Sequence, residues 1–352
     1  MRKRLMMACA IGVTGLALSA ALPAKLAQAA DQLTVVSWGG AFQEAQRKAF
    51  FEPFSKASGI KITDDEWSGD TAKIRAMVET NTISWDAVSI GSGIGQLCSV
   101  GMVETIDWNK LGVDPAKFKG KHDCGVPISA AGNVIAYDKD RLPNGPKTIA
   151  DLFDLKKFPG KRGLNNSPQR NLEWALVADG VAIGDVYKVL STPEGVDRAF
   201  KKLDTIKNDV VWWSTGAQQV QLLADGQVIM TSAWNGRIHD AVKNSGKNFE
   251  IMWDAPQIGW DYWAIPKGTP RLEEAYKFVA FASSPEAQAE LTKHIAYAPG
   301  NADAIALVDP EILPHLPIAS SAHITNAFEY DTAFWAENGE QLDQRFTAWI
   351  SQ

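Results

Sequence analysis

The stretch LTVVSWGG, residues 33–40, decides the fold, because it is typical of a buried strand that ends in a glycine turn. Helical and strand patterns then alternate: a helix over 41–57, a strand over 61–63, a helix over 71–80 and a strand over 86–90. This alternation predicts an α/β domain with a mostly parallel sheet. Ligands of such sheets bind beyond the carboxyl ends of the strands, where residues 38–40 and 91–93 lie.

Further along, the chain is predicted to leave this first domain and return to it. A strand over 134–138 leads into the turn-rich residues 140–146, which favour a crossing to a second lobe. The segment 147–262 carries its own strand and helix patterns, and a strand over 262–266 leads back. A chain that crosses at least twice predicts two lobes, a hinge and a cleft.

The first residues have the layout of a secretory signal peptide. Arg2, Lys3 and Arg4 precede an apolar run over 5–22, and the sequence Ala-Gln-Ala at 27–29 is a small-residue cleavage pattern. Residues 1–30 are therefore predicted to be removed on export. The alternative is a membrane anchor, but glycine, serine and proline interrupt the run.

Charge and length limit the function classes. Without residues 1–30 the chain has 31 basic and 41 acidic residues, a formal net charge of −10. Such a chain repels phosphate backbones, so nucleic-acid binding is not expected. Its remaining length is enough for two domains, each with its own core.

Two cysteines remain after the predicted cleavage, Cys98 and Cys124. An even number in an oxidising compartment favours a disulfide, with free thiols or a metal site as alternatives. The histidines are scattered and form no zinc-ligand spacing, so no metal and no cofactor are expected.

Enzyme motifs are missing from the sequence. There is neither a GxSxG nucleophile elbow nor a P-loop. The glycines of 91–95 resemble a dinucleotide fingerprint, but Gln96 stands where a third glycine is required. The segment is interpreted as a tight turn whose Ser92 can contact a ligand.

The tryptophans are numerous, and three lie in polar surroundings. Trp38, Trp234 and Trp260 each sit beside Gly, Asn or Asp at a predicted strand end. Indole faces at a cleft suit alkyl chains and amines. Ordinary core packing is the alternative for each.

Four segments together resemble one protein family: Trp38 after the first strand, the turn 234–236, Trp260-Asp261 before residues 264–266, and the sequence YAPGN at 297–301. They are similar to the spermidine/putrescine-type periplasmic solute-binding proteins of bacterial ABC importers. The resemblance covers nearly all of the mature chain. It implies a type II, Venus-flytrap fold with two α/β lobes joined by crossing hinge strands.

The lobes that follow are residues 31–138 with 264–310, and residues 139–263 with 311–352. The resemblance further implies a monomer in the periplasm that binds a small molecule and delivers it to a cognate ABC permease in the inner membrane. A branch of the family has a cysteine pair like Cys98 and Cys124.

Site residues follow from the resemblance position by position. Trp38, Trp234 and Tyr297 would form aromatic walls, and Asp261 would match the carboxylate that holds a ligand amine. Where polyamine binders have acidic residues, this chain has Arg170 in the segment NNSPQR at 165–170. A guanidinium repels a second ammonium but pairs with a carboxylate.

Arg170 and Asp261 at opposite ends would therefore suit a zwitterion, an ω-amino acid such as γ-aminobutyrate (GABA). Ser214 and Thr215 open a predicted helix after a strand, which is a common place for ligand hydrogen bonds. The rival hypotheses are a polyamine receptor, an exported enzyme with an unrecognised site, and a purely sensory partner of a membrane receptor.

Overall fold

The computed structural model describes residues 32–318 and 321–352, so the predicted signal peptide lies outside the described residues. The strands are β1 Gln32–Ser37, β2 Lys61–Glu66, β3 Ala87–Ile90, β4 Val126–Asp138, β5 Arg162–Asn165, β6 Val210–Trp213, β7 Met230–Trp234, β8 Phe249–Ala264, β9 Ala298–Pro299 and β10 Phe328–Glu329.

The helices are α1 Gly40–Gln46, α2 Glu52–Ser58, α3 Thr71–Glu79, α4 Ile94–Ser99, α5 Trp108–Leu111, α6 Ile149–Leu152, α7 Asn171–Ala178, α8 Val186–Leu190, α9 Pro193–Asp204, α10 Gly216–Ala224, α11 Asn235–Ser245, α12 Leu272–Ala282, α13 Pro285–His294, α14 Ser321–Ile324 and α15 Thr332–Ile350. A π-helical segment, Arg47–Phe51, joins α1 to α2. Within the described residues, no helix combines the length and apolar composition that crossing a bilayer requires.

One mixed sheet runs through the described residues in the order β2-β1-β3-β8-β4-β7-β5-β6. Pairing is parallel within β2-β1-β3 and within β7-β5-β6, and antiparallel where β8 and β4 stand between them. We call β2, β1 and β3, with the adjoining ends of β8 and β4, the first sheet half. The second sheet half comprises β7, β5 and β6 with the opposite ends of β4 and β8. The α/β prediction is confirmed.

The apolar cores divide at the middle of β4. Val126, Ile128 and Ala131 pack in the core of the first sheet half, whereas Ile135 and Tyr137 pack in that of the second. Between them the pairing of β4 with β8 shifts register, after Asn133. β4 and β8 are therefore shared strands whose ends belong to different cores.

Cys98, in α4, and Cys124, just before β4, form a disulfide with their Cα atoms 5.8 Å apart. This confirms the disulfide and excludes the free-thiol and metal alternatives for the pair. The bond fixes the loop that precedes β4 against the helix that follows β3.

Replacing both Cys98 and Cys124 with Ser should lower the free energy of unfolding by about 3–4 kcal/mol. The disulfide closes a loop across a sequence separation of 26 and so lowers the conformational entropy of the unfolded chain, and the variant loses that constraint. Urea unfolding followed by Trp fluorescence measures this loss. Reductant should destabilise the parent protein by a similar amount and leave the variant unchanged. A difference below 1 kcal/mol would contradict the prediction.

Candidate functional site

The carboxyl ends of β1 and β3 meet a side chain from β8. The indole Nε1 of Trp38 donates a hydrogen bond to Oδ1 of Asp261, at 2.9 Å. A Cβ built on Gly91 would lie 3.9 Å from both the Asp261 carboxylate and the Trp38 ring. The ring of Trp67 packs beside Trp38 with centroids 5.3 Å apart. The structure therefore brings Trp38 and Asp261, both expected at the site, into direct contact.

Asp261 is a partly buried carboxylate without a close cation. Burial raises its pKa to about 6, although the Trp38 hydrogen bond and the charge of Arg237 act in the opposite direction. Among the described residues no Lys, Arg or His nitrogen lies within 4.0 Å of it. Keeping this carboxylate ionised in the folded protein therefore costs free energy, and a ligand ammonium would remove that cost.

Arg237, in the first turn of α11, faces Asp261 and was missed by the sequence analysis. It is only 6% exposed, and its Nη2 donates to the carbonyl oxygens of Trp38, at 3.3 Å, and Gly39, at 3.2 Å. No carboxylate of the described residues is within ion-pair distance of it. Arg237 directly follows the turn 234–236. A charged residue at a helix start, on the side that would be buried, is the sequence signal that could have identified it.

The expected aromatic residues come from both sheet halves. Tyr297 is buried and packs edge-on against Phe42; burial raises the pKa of its phenol, and the charge of Arg237 opposes that rise. The Trp234 ring stands 5.4 Å from that of Trp213, at the carboxyl ends of β7 and β6. Nε1 of Trp213 is buried and has no hydrogen-bond partner among the described residues.

The second sheet half contributes Arg170, just before α7. Its Nη2 donates to Oδ1 of Asn165 at 3.1 Å, and Nδ2 of Asn165 donates to the Trp213 carbonyl at 3.4 Å. Burial lowers the pKa of Arg170. Its backbone has φ +72°, an uncommon conformation for a residue with a side chain. Such strain persists where the surroundings impose it and is often found at functional sites.

A buried acid, Glu173, lies one helical turn after Arg170, and the sequence analysis did not single it out. Its Oε1 accepts hydrogen bonds from Tyr187 and from Nε1 of Trp335, while Oε2 has no partner among the described residues. Burial raises the pKa of this carboxyl group, and the charge of Arg170 opposes that rise. The charge of Arg170 is thus partly balanced by Glu173.

Ser92 is exposed in the turn between β3 and α4, on the first sheet half. It acts on the phenol of Tyr330, which lies between β10 and α15, and favours the ionised form of that phenol. Burial raises the pKa of Tyr330 to about 12, and the charge of Arg170 acts on the same phenol. Tyr330 therefore connects the neighbourhood of Ser92 with that of Arg170.

Three other expected site residues have different surroundings. Ser214 and Thr215 are exposed and form the start of α10, where their backbone N–H groups donate to Oε1 of Gln218 at 2.7 and 2.9 Å. Trp260 precedes Asp261 in β8 and so points to the opposite face of the sheet. There its ring packs over Gly120 and beside Ala130.

A surface cavity of about 420 Å³ lies elsewhere, between α9 and α15. Three of its charged residues already have partners: Arg345 contacts Asp197 at 2.6 Å, and Asp204 accepts a hydrogen bond from Trp349. Asp261 and Arg237, which have no ion-pair partner among the described residues, distinguish the junction between the sheet halves as the candidate site.

The fold and these charges define the class: an α/β receptor that holds a small polar solute between two halves. The chain belongs to the family of bacterial extracellular solute-binding proteins, whose model matches residues 49–318. It is 42% identical to the gamma-aminobutyric acid-binding protein of Pseudomonas aeruginosa, over 97% of this chain and 96% of that protein.

Solved structures agree with this assignment. The structure of the periplasmic binding protein MotA from A. tumefaciens B6 in complex with glucopine has TM-score 0.84 and 35% identity, and covers 91% of this chain and 99% of that one. The structure of the Atu4243 GABA receptor has TM-score 0.80 and 36% identity, with 91% and 97% coverage.

Proposed function

We propose that this protein is the periplasmic substrate-binding component of an ABC importer and captures a zwitterionic ω-amino acid, with GABA as the first candidate. The observation that carries the proposal is the pair of uncompensated charges, Asp261 and Arg237, that face one another beyond ion-pair distance. The 42% identical relative named for gamma-aminobutyric acid supports the choice of solute.

In this arrangement the ligand ammonium binds Asp261, and its methylene groups lie among Trp38, Trp234 and Tyr297. The ligand carboxylate binds a guanidinium, which offers parallel N–H donors. Arg237 is the cation whose charge acts on Asp261. Arg170 provides a second cation on the same sheet half as Arg237, and Ser92 lies opposite it on the first sheet half. Ser214, Thr215 and Trp260 would not contact the ligand and would influence binding only through the shape of the site.

A polyamine is the alternative ligand. Its second ammonium would face Arg237 or Arg170, and an unpaired charge beside a buried guanidinium costs several kcal/mol. Glu173, one helical turn from Arg170, could offset this, but it already accepts two hydrogen bonds. The charges therefore favour a zwitterion over a diamine.

Closure would bring together the two lobes, residues 31–138 with 264–310 and residues 139–263 with 311–352. β4 and β8 would bend between them as the hinge. The monomeric, closed protein would then dock on its cognate permease in the inner membrane, and no cofactor or chemical step is required. Recovery of unchanged solute separates this role from that of an exported enzyme, and loss of uptake on deletion separates it from sensing alone.

The deciding experiment is a calorimetric titration of the mature protein with GABA, β-alanine, 5-aminovalerate, glucopine, putrescine and spermidine. GABA or another ω-amino acid should bind most tightly and change the Trp fluorescence, because the indole walls lose water. Tighter binding of putrescine than of every amino acid would refute the zwitterion assignment.

Replacing Arg170 with Ala should weaken GABA binding by about tenfold to a hundredfold, since a charge-assisted hydrogen bond contributes roughly 1.5–3 kcal/mol. Putrescine binding should stay equal or improve. Arg198→Ala is the matched control, because Arg198 is exposed in the same sheet half and pairs with Asp179. A GABA Kd within twofold of the parent value would show that Arg170 is not a ligand residue.

A further inference from the structure

The guanidinium of Arg237 lies in a slot with glycine walls, one from each sheet half. A Cβ on Gly40, at the start of α1, would be 2.8 Å from its Nη1. A Cβ on Gly216, at the start of α10, would be 2.5 Å from its Cζ. Only hydrogen at these two positions leaves room for the flat guanidinium group.

The bottom of the slot consists of the carbonyl oxygens of Trp38 and Gly39, which accept from Nη2 of Arg237. Arg237 belongs to α11 in the second sheet half, whereas both carbonyls belong to the first. These hydrogen bonds therefore exist only while the halves are together. Through them the charged guanidinium of Arg237 joins the two halves in the closed arrangement.

Two neutral carbonyls do not neutralise a buried guanidinium. Arg237 is almost fully buried, and Asp261 is beyond ion-pair distance. Burying a charge without a close counter-charge is unfavourable, so the closed state lacks one negative group at this point. A carboxylate on the ligand supplies that group from inside the cleft.

We propose that the two lobes close only when a ligand carboxylate compensates the charge of Arg237 in its glycine slot. Gly216 is then a specificity-determining position, although it does not touch the ligand. This inference rests on the proposed function, because it assigns the solute carboxylate to Arg237. An amine without a carboxylate would bind Asp261 in the open form but would leave the guanidinium uncompensated on closing.

Gly216→Ala tests the slot without changing any charge. The added methyl displaces the guanidinium toward a neighbouring groove of about 190 Å³, lined by Ala41, Ala217 and Ala241 among others, so the chain has space to accommodate it. Gly216 has no positive φ, and Ala is the better helix former, so the free protein should keep its thermal stability. Gly184→Ala is the control, because its new Cβ would meet no atom within 4 Å.

Two measurements read the outcome: the Kd and dissociation rate for GABA, and the radius of gyration by small-angle X-ray scattering. The parent protein should contract with GABA and not with putrescine. Gly216→Ala should raise the GABA Kd at least tenfold, mainly through faster dissociation, and reduce the contraction. Arg237→Lys, which loses the planar fork, should do the same.

Equal contraction with putrescine and GABA would overturn the proposal, as would a Gly216→Ala variant with a Kd within twofold of the parent. A parent protein that binds no ω-amino acid contradicts the proposed function instead. Glucopine then replaces GABA in the same comparison with putrescine, and the same two outcomes decide the closure rule.

Discussion

Replacing Asp261 with Asn should abolish GABA binding and at the same time stabilise the ligand-free protein. The loss of binding should exceed a hundredfold, because the ligand ammonium would enter a buried site without a counter-charge. The gain in stability follows from the raised pKa of this carboxyl group, about 6, which burial causes. Asn keeps an oxygen for the Trp38 hydrogen bond and has no charge to desolvate.

The sign of the pH dependence follows from the same pKa. The pKa of the Asp261 carboxyl group is about 6 in the folded protein against an ordinary value of 3.8, so the folded state holds this proton more tightly than the unfolded chain does. Stability is therefore lost as the pH rises from about 4 to 6 and stays lost above it. Two pKa units correspond to about 3 kcal/mol.

Urea unfolding of the ligand-free protein at pH 3.5 and pH 7 measures this effect. Asp261→Asn should match the parent at the lower pH and exceed it by up to about 3 kcal/mol at pH 7. GABA affinity of the parent should fall about tenfold per pH unit below pH 6. Asp225→Asn, at an exposed helix end, should change neither quantity. A variant that is less stable than the parent at pH 7 would contradict the argument.

Replacing Asn235 with Ala should lower the free energy of unfolding by about 3–4 kcal/mol, enough to threaten folding at physiological temperature. Asn235 is fully buried; its Oδ1 accepts from the Gly132 N–H at 2.9 Å. Its Nδ2 donates to the carbonyls of Ala296, at 2.7 Å, and His315, at 3.1 Å. Alanine would leave three buried backbone groups without this partner.

Thermal and urea unfolding of Asn235→Ala measure the cost. Asn244→Ala is the control, since Asn244 is exposed on the same helix and bonds only to Asp240. Asn235→Asp should cost at least as much at pH 7, because it buries an unpaired carboxylate against the carbonyl oxygens of Ala296 and His315. Loss of less than 1 kcal/mol in the Ala variant would mean that water replaces the amide.

The elements with regular patterns could be predicted from the sequence. The strand expected at the start of residues 33–40 is β1, and the helix expected over 71–80 is α3, whose N-cap Asp70 accepts from the N–H of Ala72. β4 and β8 extend far beyond the expected strands at 134–138 and 262–266. Their added residues include Pro127 and Gly132, which predict breaks locally, but pairing on both sides of these central strands overrides that preference.

The positions of candidate site residues could be predicted where they follow from the residue's own strand end. Trp38 and Asp261, both expected at the site, lie in contact, and their binding of a ligand stays a prediction. A local signal could flag Arg237 as a charged residue at a helix start, but its contacts with carbonyls about 200 residues earlier in the chain are encoded by no local pattern. Ser214 and Thr215 were expected to bind ligand because helix starts often do, but their N–H groups are used by the helix cap.

The shared strands also set the order in which the chain can fold. Val88 of β3 pairs with Ala264 of β8, so the first sheet half is incomplete until about three quarters of the chain is available. Pairings over such sequence distances form slowly, because loop closure must precede their stabilisation. A nascent chain of this kind stays unfolded for longer, which is the state that a secretion channel accepts.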